Sequence, residues 1–406
     1  MCLLISNDGS HDQMQCGTYH HSTNMSFELM NKKMSDFANI GIHDLLYFNL
    51  FEYGQNVTWP LPENTNGPDK NTWQNASEFL WFYLNDSISY NYKYEKVGEW
   101  QYGILLDPDP KTLWGQWLIN QSIKRIEIFG NNFNGISIDR QDHTREYNYN
   151  YSDDLSLCIN NEKTQYIECK SLLTSWKNFA VKLTDIIHNN TNMSNNDDYN
   201  PIITHNYAGG FRMDLNMISD IIFSEFYDVS AMGLSSMMKP SILWTYSNTE
   251  LQNDGIHQYF QKSLYLNVAL MAPCIGNDHS ILPDSNIQIY YNMYGKLFKM
   301  LRGAIWWLQP QTVNIIDNPI NGPLINPYIK MDDNDMINQL IIVLVLGDMK
   351  NNQSINVNVV GMNKLNECQY VTPSDNNNWK QLTITNNTIV NNIKLNYGCA
   401  VVKCVP

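Results

Sequence analysis

The sequence predicts an α/β fold, in which residues 1–330 form a (β/α)8 TIM barrel and residues 331–406 form a small C-terminal antiparallel β-sandwich domain. Three observations support this prediction. Short apolar runs that end on polar or aromatic residues recur eight times, amphipathic helical stretches fill most of the gaps, and the hydrophobic period changes to two residues from about Asn338. A length of 406 residues suits a barrel with an appended domain.

The eight apolar runs are the predicted barrel strands, because buried parallel strands are short, apolar and separated by helices. They are Cys2–Ser6, Leu45–Leu50, Gly103–Leu106, Ile136–Ile138, Ile202–Thr204, Ile221–Phe223, Ile242–Trp244 and Val268–Ala272. The clearest helix is predicted after the fourth strand, where Leu172, Trp176 and Leu183 recur at helical spacing.

The C-terminal region has a different pattern. Residues Pro310–Pro327 are rich in Asn and Pro, which is typical of a linker. Short apolar runs separated by turn residues then predict the strands of the sandwich. These are Ile341–Leu346, Ile355–Val360, Leu382–Thr385 and Ala400–Val405.

Composition and charge limit the classes of partner. Hydrophobic residues make up 43% of the chain and charged residues 16%, with a formal net charge of −14. This balance argues against a nucleic-acid backbone or an anionic membrane as partner. No apolar run approaches the roughly 18 residues of a membrane-spanning helix. Core packing explains most of the 12% aromatic residues, but sugar-binding clefts also use aromatic faces, so their abundance favours a carbohydrate substrate or ligand.

The cysteines favour an oxidising compartment. The chain has 8 Cys and lacks the matched CxxC pairs of a zinc site, and we predict a disulfide between Cys158 and Cys169. The alternative is a cytosolic protein with free, buried thiols. The N-terminus lacks the basic start of a signal peptide, so we expect a secreted protein to correspond to a mature or truncated form.

Glycosylation sequons point to the same compartment. Most of the Asn-X-Ser/Thr sequons fall between predicted strands, where N-linked glycans are tolerated, although an Asn-rich chain also produces sequons by chance. They begin at Asn24, Asn56, Asn75, Asn85, Asn120, Asn150, Asn189, Asn192, Asn352 and Asn386. We therefore expect a glycoprotein that is extracellular, in the secretory pathway or at the cell surface.

Two carboxylates follow predicted strands at positions suited to catalysis. Asp139 ends strand four and Glu225 ends strand six. The active site of a βα barrel lies at the C-terminal ends of its strands. Cleavage of a glycosidic bond needs a general acid for the leaving oxygen and a second carboxylate that acts as nucleophile or base. Each carboxylate alone is as consistent with a loop cap or a salt-bridge partner.

The run DPDPKTLWGQWLINQSIKRIEIFGNNFNGISIDR, residues 107–140, resembles the strand-three-to-four unit of glycoside hydrolases of the α-galactosidase and α-glucosidase clan. The resemblance implies that Asp139 is the nucleophile, that Glu225 is the acid/base and that a β-domain follows the barrel. Most of that clan has Asp at strand six and a Trp-X-Asp pattern at strand four. This chain departs from both patterns, and Asp228 is the reserve acid/base.

Other polar and aromatic residues near the predicted strand ends are candidates for binding substrate, and for each a structural role is at least as consistent with the sequence. They are Asp8, Glu52, Asp107, Arg140, His205, Asn206, Tyr207, Trp244, Tyr246 and His279. We predict no metal, because Asp139, Asp142 and His143 lack a further ligand at a definite spacing. We also predict no cofactor, since phosphate-binding glycine loops are absent.

The first functional hypothesis is a secreted, retaining glycoside hydrolase that cleaves O-glycosidic bonds with Asp139 and Glu225. The second is a non-catalytic glycoprotein of hydrolase fold with a structural or glycan-binding role, because a fold does not fix a function. Occluded strand ends would favour the second hypothesis.

Overall fold

The computed structural model describes residues 2–6, 27–40, 42–49, 52–53, 80, 83–95, 104–139, 145–189, 201–206, 212–224, 229–237, 239–244, 255–271, 285–316, 322–346, 353–375 and 378–406. The chain divides into two compact units, Met1–Ile221 and Ile222–Pro406. The predicted boundary after residue 330, between a barrel and a sandwich, stays a prediction.

Unit 1 alternates strands with helices. Its strands are β1 (Cys2–Ser6), β2 (Ile42–Asn49), β3 (Glu52–Tyr53), β4 (Ser89–Asn91), β5 (Ile104–Leu105), β6 (Gly135–Asp139), β7 (Glu146–Asn148), β8 (Ser156–Ile159), β9 (Tyr166–Ser171) and β10 (Ile202–Asn206). Its helices are α1 (Phe27–Asn39), α2 (Leu113–Phe129), α3 (Leu172–Asn189) and α4 (Met213–Ile218), with 3-10 turns at Asn85–Ser87 and Gly130–Asn132. The predicted helix after the fourth strand is confirmed as α3.

The main sheet of unit 1 is parallel, with the strand order β1-β2-β6-β10. Leu46 of β2 pairs with Ile136 of β6, which in turn pairs with Ile203 of β10. The first, second, fourth and fifth predicted strands therefore lie side by side in one direction, as a βα fold requires.

The third predicted strand, Gly103–Leu106, does not join this sheet. β2 pairs directly with β6, and β5 pairs antiparallel with β3. Its apolar side chains are buried in the same core as those of α2. They are thus removed from water although the run does not pair with the parallel strands. The prediction that this run is a barrel strand is not confirmed, because an apolar run indicates burial but not a pairing partner. The closed barrel stays a prediction, since the described strands do not complete a ring.

The core of unit 1 includes one face of the parallel sheet together with side chains of the helices. Ile136, Ile138 and Ile203 belong to it, with Leu118 of α2 and Trp176 of α3 among their neighbours in the cluster. Successive side chains of a strand alternate between faces. The positions between these isoleucines therefore belong to the opposite face of the sheet.

A smaller sheet of unit 1 has the strand order β4-β7-β9-β8. Its strands come from the segment after β3 and from the connection between β6 and α3. β8 and β9 form an antiparallel hairpin that the Cys158–Cys169 disulfide crosslinks, which confirms the predicted pairing. The disulfide lies on the buried side of this hairpin.

Unit 2 starts with parallel strands and ends with antiparallel ones. Its strands are β11 (Ile221–Ser224), β12 (Ser241–Trp244), β13 (Val268–Met271), β14 (Ile305–Trp306), β15 (Val313–Ile316), β16 (Leu324–Met331), β17 (Ile337–Val345), β18 (Ser354–Val359), β19 (Glu367–Val371), β20 (Lys380–Gln381), β21 (Thr383–Thr385), β22 (Ile389–Lys394) and β23 (Cys399–Val405). Its helices are α5 (Val229–Ser236), α6 (Gly255–Leu266) and α7 (Ser285–Met300). The sixth, seventh and eighth predicted strands are β11, β12 and β13, and β12 pairs in parallel with both of its neighbours.

The C-terminal strands form two antiparallel sheets, with the orders β14-β16-β17-β23-β19-β20 and β15-β18-β22-β21. Apolar side chains from both sheets share one buried core, which confirms the predicted sandwich pattern. A second disulfide joins Cys368 to Cys404, and Cys399 is a buried free thiol. The segment Pro310–Pro327, which was predicted to be a linker, contains β15 and the start of β16. The prediction failed because the many Asn and Pro residues interrupt the short apolar runs of these strands.

The helices are too short or too polar to span a bilayer in the part of the chain that the structure describes.

Gly115 gives a direct test of the packing around α2. A Cβ added at Gly115 would overlap the backbone carbonyl oxygens of Pro108 and Asp109. We expect Gly115→Ala to destabilise the protein by about 1–3 kcal/mol, because the backbone must move to accept the methyl group. The measurement is the thermal unfolding midpoint.

The matched control is Gly295→Ala in α7, where an added Cβ meets no atom within 4 Å. The same substitution there should be neutral or stabilising by up to about 1 kcal/mol, because Ala loses less backbone entropy on folding than Gly. Equal midpoints for Gly115→Ala and the wild type would contradict the close packing.

Candidate functional site

Three adjacent parallel strands of unit 1 end on polar residues, and these residues lie at the carboxyl ends of the strands. Asp139, the last residue of β6, pairs level with Asn49, the last residue of β2. On the other side His205 of β10 pairs with Ile138, so Asn206 stands one position further along, beside Asp139. Neighbouring strands lie about 4.8 Å apart. We call Asn49, Asp139 and Asn206 the strand-end row.

The end of β10 is buried although it is polar. His205 and Asn206 are almost completely inaccessible to solvent, and so are Ser137 and Thr204. Ser137 pairs with Thr204, and Asn206 follows Thr204 by two positions, so these three side chains share the face opposite to the core of unit 1. That face therefore carries hydroxyl and amide groups towards the same edge as the strand-end row.

The other predicted site residues divide into two groups. Glu52 lies in β3 of unit 1, and Trp244 is the last residue of β12 in unit 2. The remaining candidates lie outside the described residues, and they are Asp8, Arg140, Tyr207, Glu225, Tyr246 and His279, together with Asp142, His143 and Asp228. The pairing of Asp139 with Glu225 therefore stays a prediction.

Asp107 does not end a strand of the parallel sheet, because it follows the displaced strand β5. Its side chain is fully buried. Oδ1 accepts a hydrogen bond of 2.9 Å from the Asp109 amide, and Oδ2 accepts one of 2.9 Å from Asn148 Nδ2. Burial raises the pKa of the Asp107 carboxyl, and these hydrogen bonds and the nearby Lys170 oppose that rise. This geometry favours a structural role for Asp107.

Asp109 and Lys170 form a buried ion pair next to Asp107. Lys170 Nζ contacts Asp109 Oδ2, and both side chains are almost completely buried. Asn178 Nδ2 donates to the same carboxylate oxygen at 2.7 Å, and the Lys111 amide donates to Oδ1 at 2.9 Å. Buried charges are tolerated when they are paired and hydrogen-bonded. The pair therefore ties β9 and α3 to the loop before α2.

The start of α2 is bonded to the same region. Thr112, Ser87 and Asp86 accept hydrogen bonds of 3.0, 3.1 and 3.1 Å from the first amides of the helix. These amides have no partner inside a helix, so side-chain acceptors of this kind fix where it begins. The 3-10 turn at Asn85–Ser87 is thereby joined to the loop that contains Asp107.

Asp153 holds the base of the β8–β9 hairpin. Its carboxylate accepts hydrogen bonds from the Ser156 amide at 2.7 Å and from the Ser171 amide at 3.0 Å, which lie at the two ends of the hairpin. The Thr174 hydroxyl adds a bond of 3.3 Å from α3. Burial alone would raise the pKa of Asp153, but the hydrogen bonds outweigh it and lower the pKa.

Sequence reasoning missed Asn49 and Asn148. Asn49 closes the apolar run LLYFN, so the rule that selected Asp139, a polar residue at the end of a buried strand, applies to it as well. Asn148 gives no such signal, because its partner Asp107 is 41 positions away in the chain. Across the described residues, no group of three or more His, Cys, Asp or Glu side chains is arranged to hold a metal ion.

Comparisons with known proteins found similarity of structure only. No protein-family model and no curated protein matches the chain. A GH30 endoxylanase from Clostridium papyrosolvens C71 has 12% identity and a TM-score of 0.44, over 95% of this chain and 84% of that chain. The catalytic domain of GH30 xylanase C from Talaromyces cellulolyticus has 13% identity and a TM-score of 0.42, over 100% and 86%.

A gamma-CGTase from alkalophilic Bacillus clarkii has 10% identity and a TM-score of 0.48, over 94% of this chain and 56% of that chain. None of these three structures is named as an α-galactosidase or α-glucosidase, and the resemblance to that clan stays a prediction. The similarities are too distant to transfer any site residue to this chain.

The Asp153 contacts predict a pH-dependent contribution to stability. Because the folded pKa of Asp153 lies below its ordinary value of 3.8, its carboxylate stabilises the folded state above that value and loses the effect as the pH falls through the folded pKa. We expect Asp153→Asn to lower the thermal midpoint at pH 7, and the difference from the wild type to shrink below about pH 4.

The control is Asp154→Asn at the exposed neighbouring position. Asp154 has a φ of 60°, which Asn tolerates, so this change should leave the midpoint close to the wild-type value. A constant difference between Asp153→Asn and the wild type across the acid range would contradict the role of the carboxylate charge.

Proposed function

We propose that the protein is a glycoside hydrolase that cleaves O-glycosidic bonds at the carboxyl ends of its parallel strands. The observation that carries the proposal is the strand-end row, in which the backbone pairing sets Asp139 between Asn49 and Asn206. Sites of βα folds use residues at this edge of the sheet. Carboxylate and amide groups suit a ligand with many hydroxyl groups, because amides can donate and accept hydrogen bonds.

The proposed mechanism is retaining. Asp139 attacks the anomeric carbon as the glycosidic bond breaks, and Glu225 donates its proton to the leaving oxygen. Glu225 then takes a proton from water, which attacks the same carbon and releases the sugar from Asp139. This step restores both carboxyl groups to their starting states. We further propose that the parallel strands belong to a (β/α)8 barrel.

The polar face of the parallel sheet supports this proposal independently of the carboxylates. Ser137, Thr204 and Asn206 are buried at positions where a purely structural sheet would place apolar side chains. Burying such groups costs free energy unless they form hydrogen bonds. A few buried polar groups beside the strand-end row support a ligand site, because such groups fix the orientation of a bound ligand.

The proposal includes a secretory or extracellular location. Disulfides link Cys158 to Cys169 and Cys368 to Cys404, and such bonds persist in oxidising compartments. The described sequon asparagines are all exposed, so an N-glycan attached to any of them would extend into solvent. These are Asn85, Asn120, Asn150, Asn189 and Asn386.

Catalysis is tested by turnover on a panel of aryl glycosides. Asp139→Asn should lower kcat by at least about 100-fold, because the nucleophile is removed while the side-chain volume is kept. Glu225→Gln should lose the first step on poor leaving groups but keep it on a dinitrophenyl glycoside, whose leaving oxygen needs no proton, so that dinitrophenol is released in a burst before the slow second step, which lacks its base. The control is Asp185→Asn at an exposed position of α3, which should retain full activity.

Unchanged turnover by Asp139→Asn would rule out the proposed mechanism. Wild-type protein that binds glycans without hydrolysing any substrate would favour the alternative of a non-catalytic glycan-binding glycoprotein.

Location is tested by N-glycan mapping after expression in a eukaryotic secretory host. Asn386 lies between β21 and β22 in an exposed turn where Asn386 and Asn387 have φ of 49° and 65°. We expect Asn386→Gln to lose one N-glycan, seen as a mass shift that glycosidase treatment abolishes. Asn363→Gln, an exposed asparagine outside any sequon, should leave the glycan mass unchanged. Absence of glycan at every sequon would contradict the proposed location.

A further inference from the structure

The small sheet of unit 1 exposes large apolar side chains on one surface. Tyr92 is 51% exposed, Leu157 63% and Tyr166 71%. Large apolar side chains grouped at the surface of a protein mark sites where another molecule binds, since isolated ones carry no such meaning. It therefore matters whether these residues lie together.

The strand register brings them together. Ile159 of β8 pairs with Tyr166 of β9, and the Ile159 amide donates a hydrogen bond of 3.2 Å to the Tyr92 carbonyl oxygen. Tyr92 and Tyr166 thus lie on opposite sides of Ile159. Leu157 shares the face of Ile159 because it is two positions away on the same strand. We call Tyr92, Leu157, Ile159 and Tyr166 the tyrosine platform.

The opposite side of the hairpin is fixed. Cys158 and Cys169 are fully buried and form a disulfide there, while Asp153 joins the two ends of the hairpin. At its turn, Asn160 Oδ1 accepts a hydrogen bond of 2.8 Å from the Thr164 amide. The platform is therefore rigid before any ligand binds, which reduces the entropic cost of binding.

The chain path links the platform to the proposed active site. The hairpin belongs to the connection that leaves the sheet at Asp139 and returns through α3. Connections that leave the carboxyl ends of parallel strands surround the site in βα folds. The platform therefore belongs to a connection at the end of the sheet where bond cleavage is proposed. One part of a long ligand could lie on the platform while another part lies at the strand-end row.

The chemistry of the surface favours a neutral sugar polymer. Tyrosine rings present flat apolar faces that suit the C–H faces of sugar rings, and exposed Thr164 and Gln165 at the hairpin turn offer hydrogen bonds to hydroxyl groups. Glu162 and Glu168 on the hairpin are balanced by Lys163 at its turn and Lys93 beside Tyr92, and this balance of charge favours a neutral polymer. Addition of a peptide strand along β8 is hindered at Ile159, whose amide is already bonded to Tyr92.

We propose that the tyrosine platform stacks against distal sugar units of an extended, neutral oligosaccharide or polysaccharide. The inference rests on the proposed hydrolase function and deepens it, because it makes the substrate a sugar polymer rather than a terminal glycoside. Lys93 Nζ lies 5.4 Å from the centre of the Tyr92 ring. Tyr166 is the more exposed of the two rings and presents the larger stacking surface.

The experiment compares binding and turnover in the full chain. Retardation in affinity electrophoresis is measured with four soluble polysaccharides, namely arabinoxylan, mixed-linkage β-glucan, starch and galactomannan. Kinetics are measured on the polymer that is cleaved and on a short aryl glycoside. We expect Tyr166→Ala to weaken binding and raise the polymer KM by roughly 5- to 10-fold, with aryl glycoside kinetics unchanged. Tyr92→Ala should have a smaller effect in the same direction.

Two controls separate ring stacking from general apolar contact. Tyr166→Phe keeps the ring and should retain polymer binding. Leu155→Ala removes a nearby side chain that is 88% exposed but has no ring, and it should also retain binding.

The outcomes also separate this proposal from the proposed catalysis. Retention that depends on Tyr166 without turnover of any substrate would support the platform and remove the hydrolase mechanism. Turnover of a polymer with a KM unaffected by Tyr166→Ala would support the hydrolase and remove the platform. Failure of the wild type to bind any of the four polysaccharides would likewise overturn the platform.

Discussion

The direct parallel pairing of β2 with β6 is the constraint on which the rest of unit 1 depends. Because β1 and β6 occupy both edges of β2, and β2 and β10 occupy both edges of β6, β5 cannot pair with either β2 or β6 in the parallel sheet. It pairs with β3 instead, and Asp107, which follows it, enters a buried network. The same pairing sets Asn49 level with Asp139, so one register determines both the candidate site and the structural network beside it.

The buried network joins parts of unit 1 that are distant in sequence. Asp109 and Lys170 meet with almost no solvent contact, and Asn148 bridges to Asp107. Removing one partner of such a pair costs several kcal/mol, because it leaves a buried charge without compensation. The network thereby connects the small sheet and α3 to the start of α2, whose first amides are already bonded to side-chain acceptors.

The two functional proposals rest on separate observations. The strand-end row is a property of backbone register in the parallel sheet, whereas the tyrosine platform is a property of solvent exposure on the small sheet. They are connected by the chain itself, since the platform lies between Asp139 and α3. A rigid aromatic surface in that connection would let a hydrolase bind sugar units of a polymer that are distant from the bond it cleaves. The disulfide and Asp153 make this surface rigid.

By itself the sequence determined the positions of α3, of the parallel strands and of several sandwich strands, because hydrophobic periodicity is a local property. It also identified Asp139 as a strand end and Cys158 with Cys169 as a disulfide. Only the tertiary structure decided that β2 pairs with β6, that Asn49 stands beside Asp139, and that Asp107 is buried. These depend on which buried strand occupies a given sheet edge, and that competition between distant segments leaves no local pattern in the sequence.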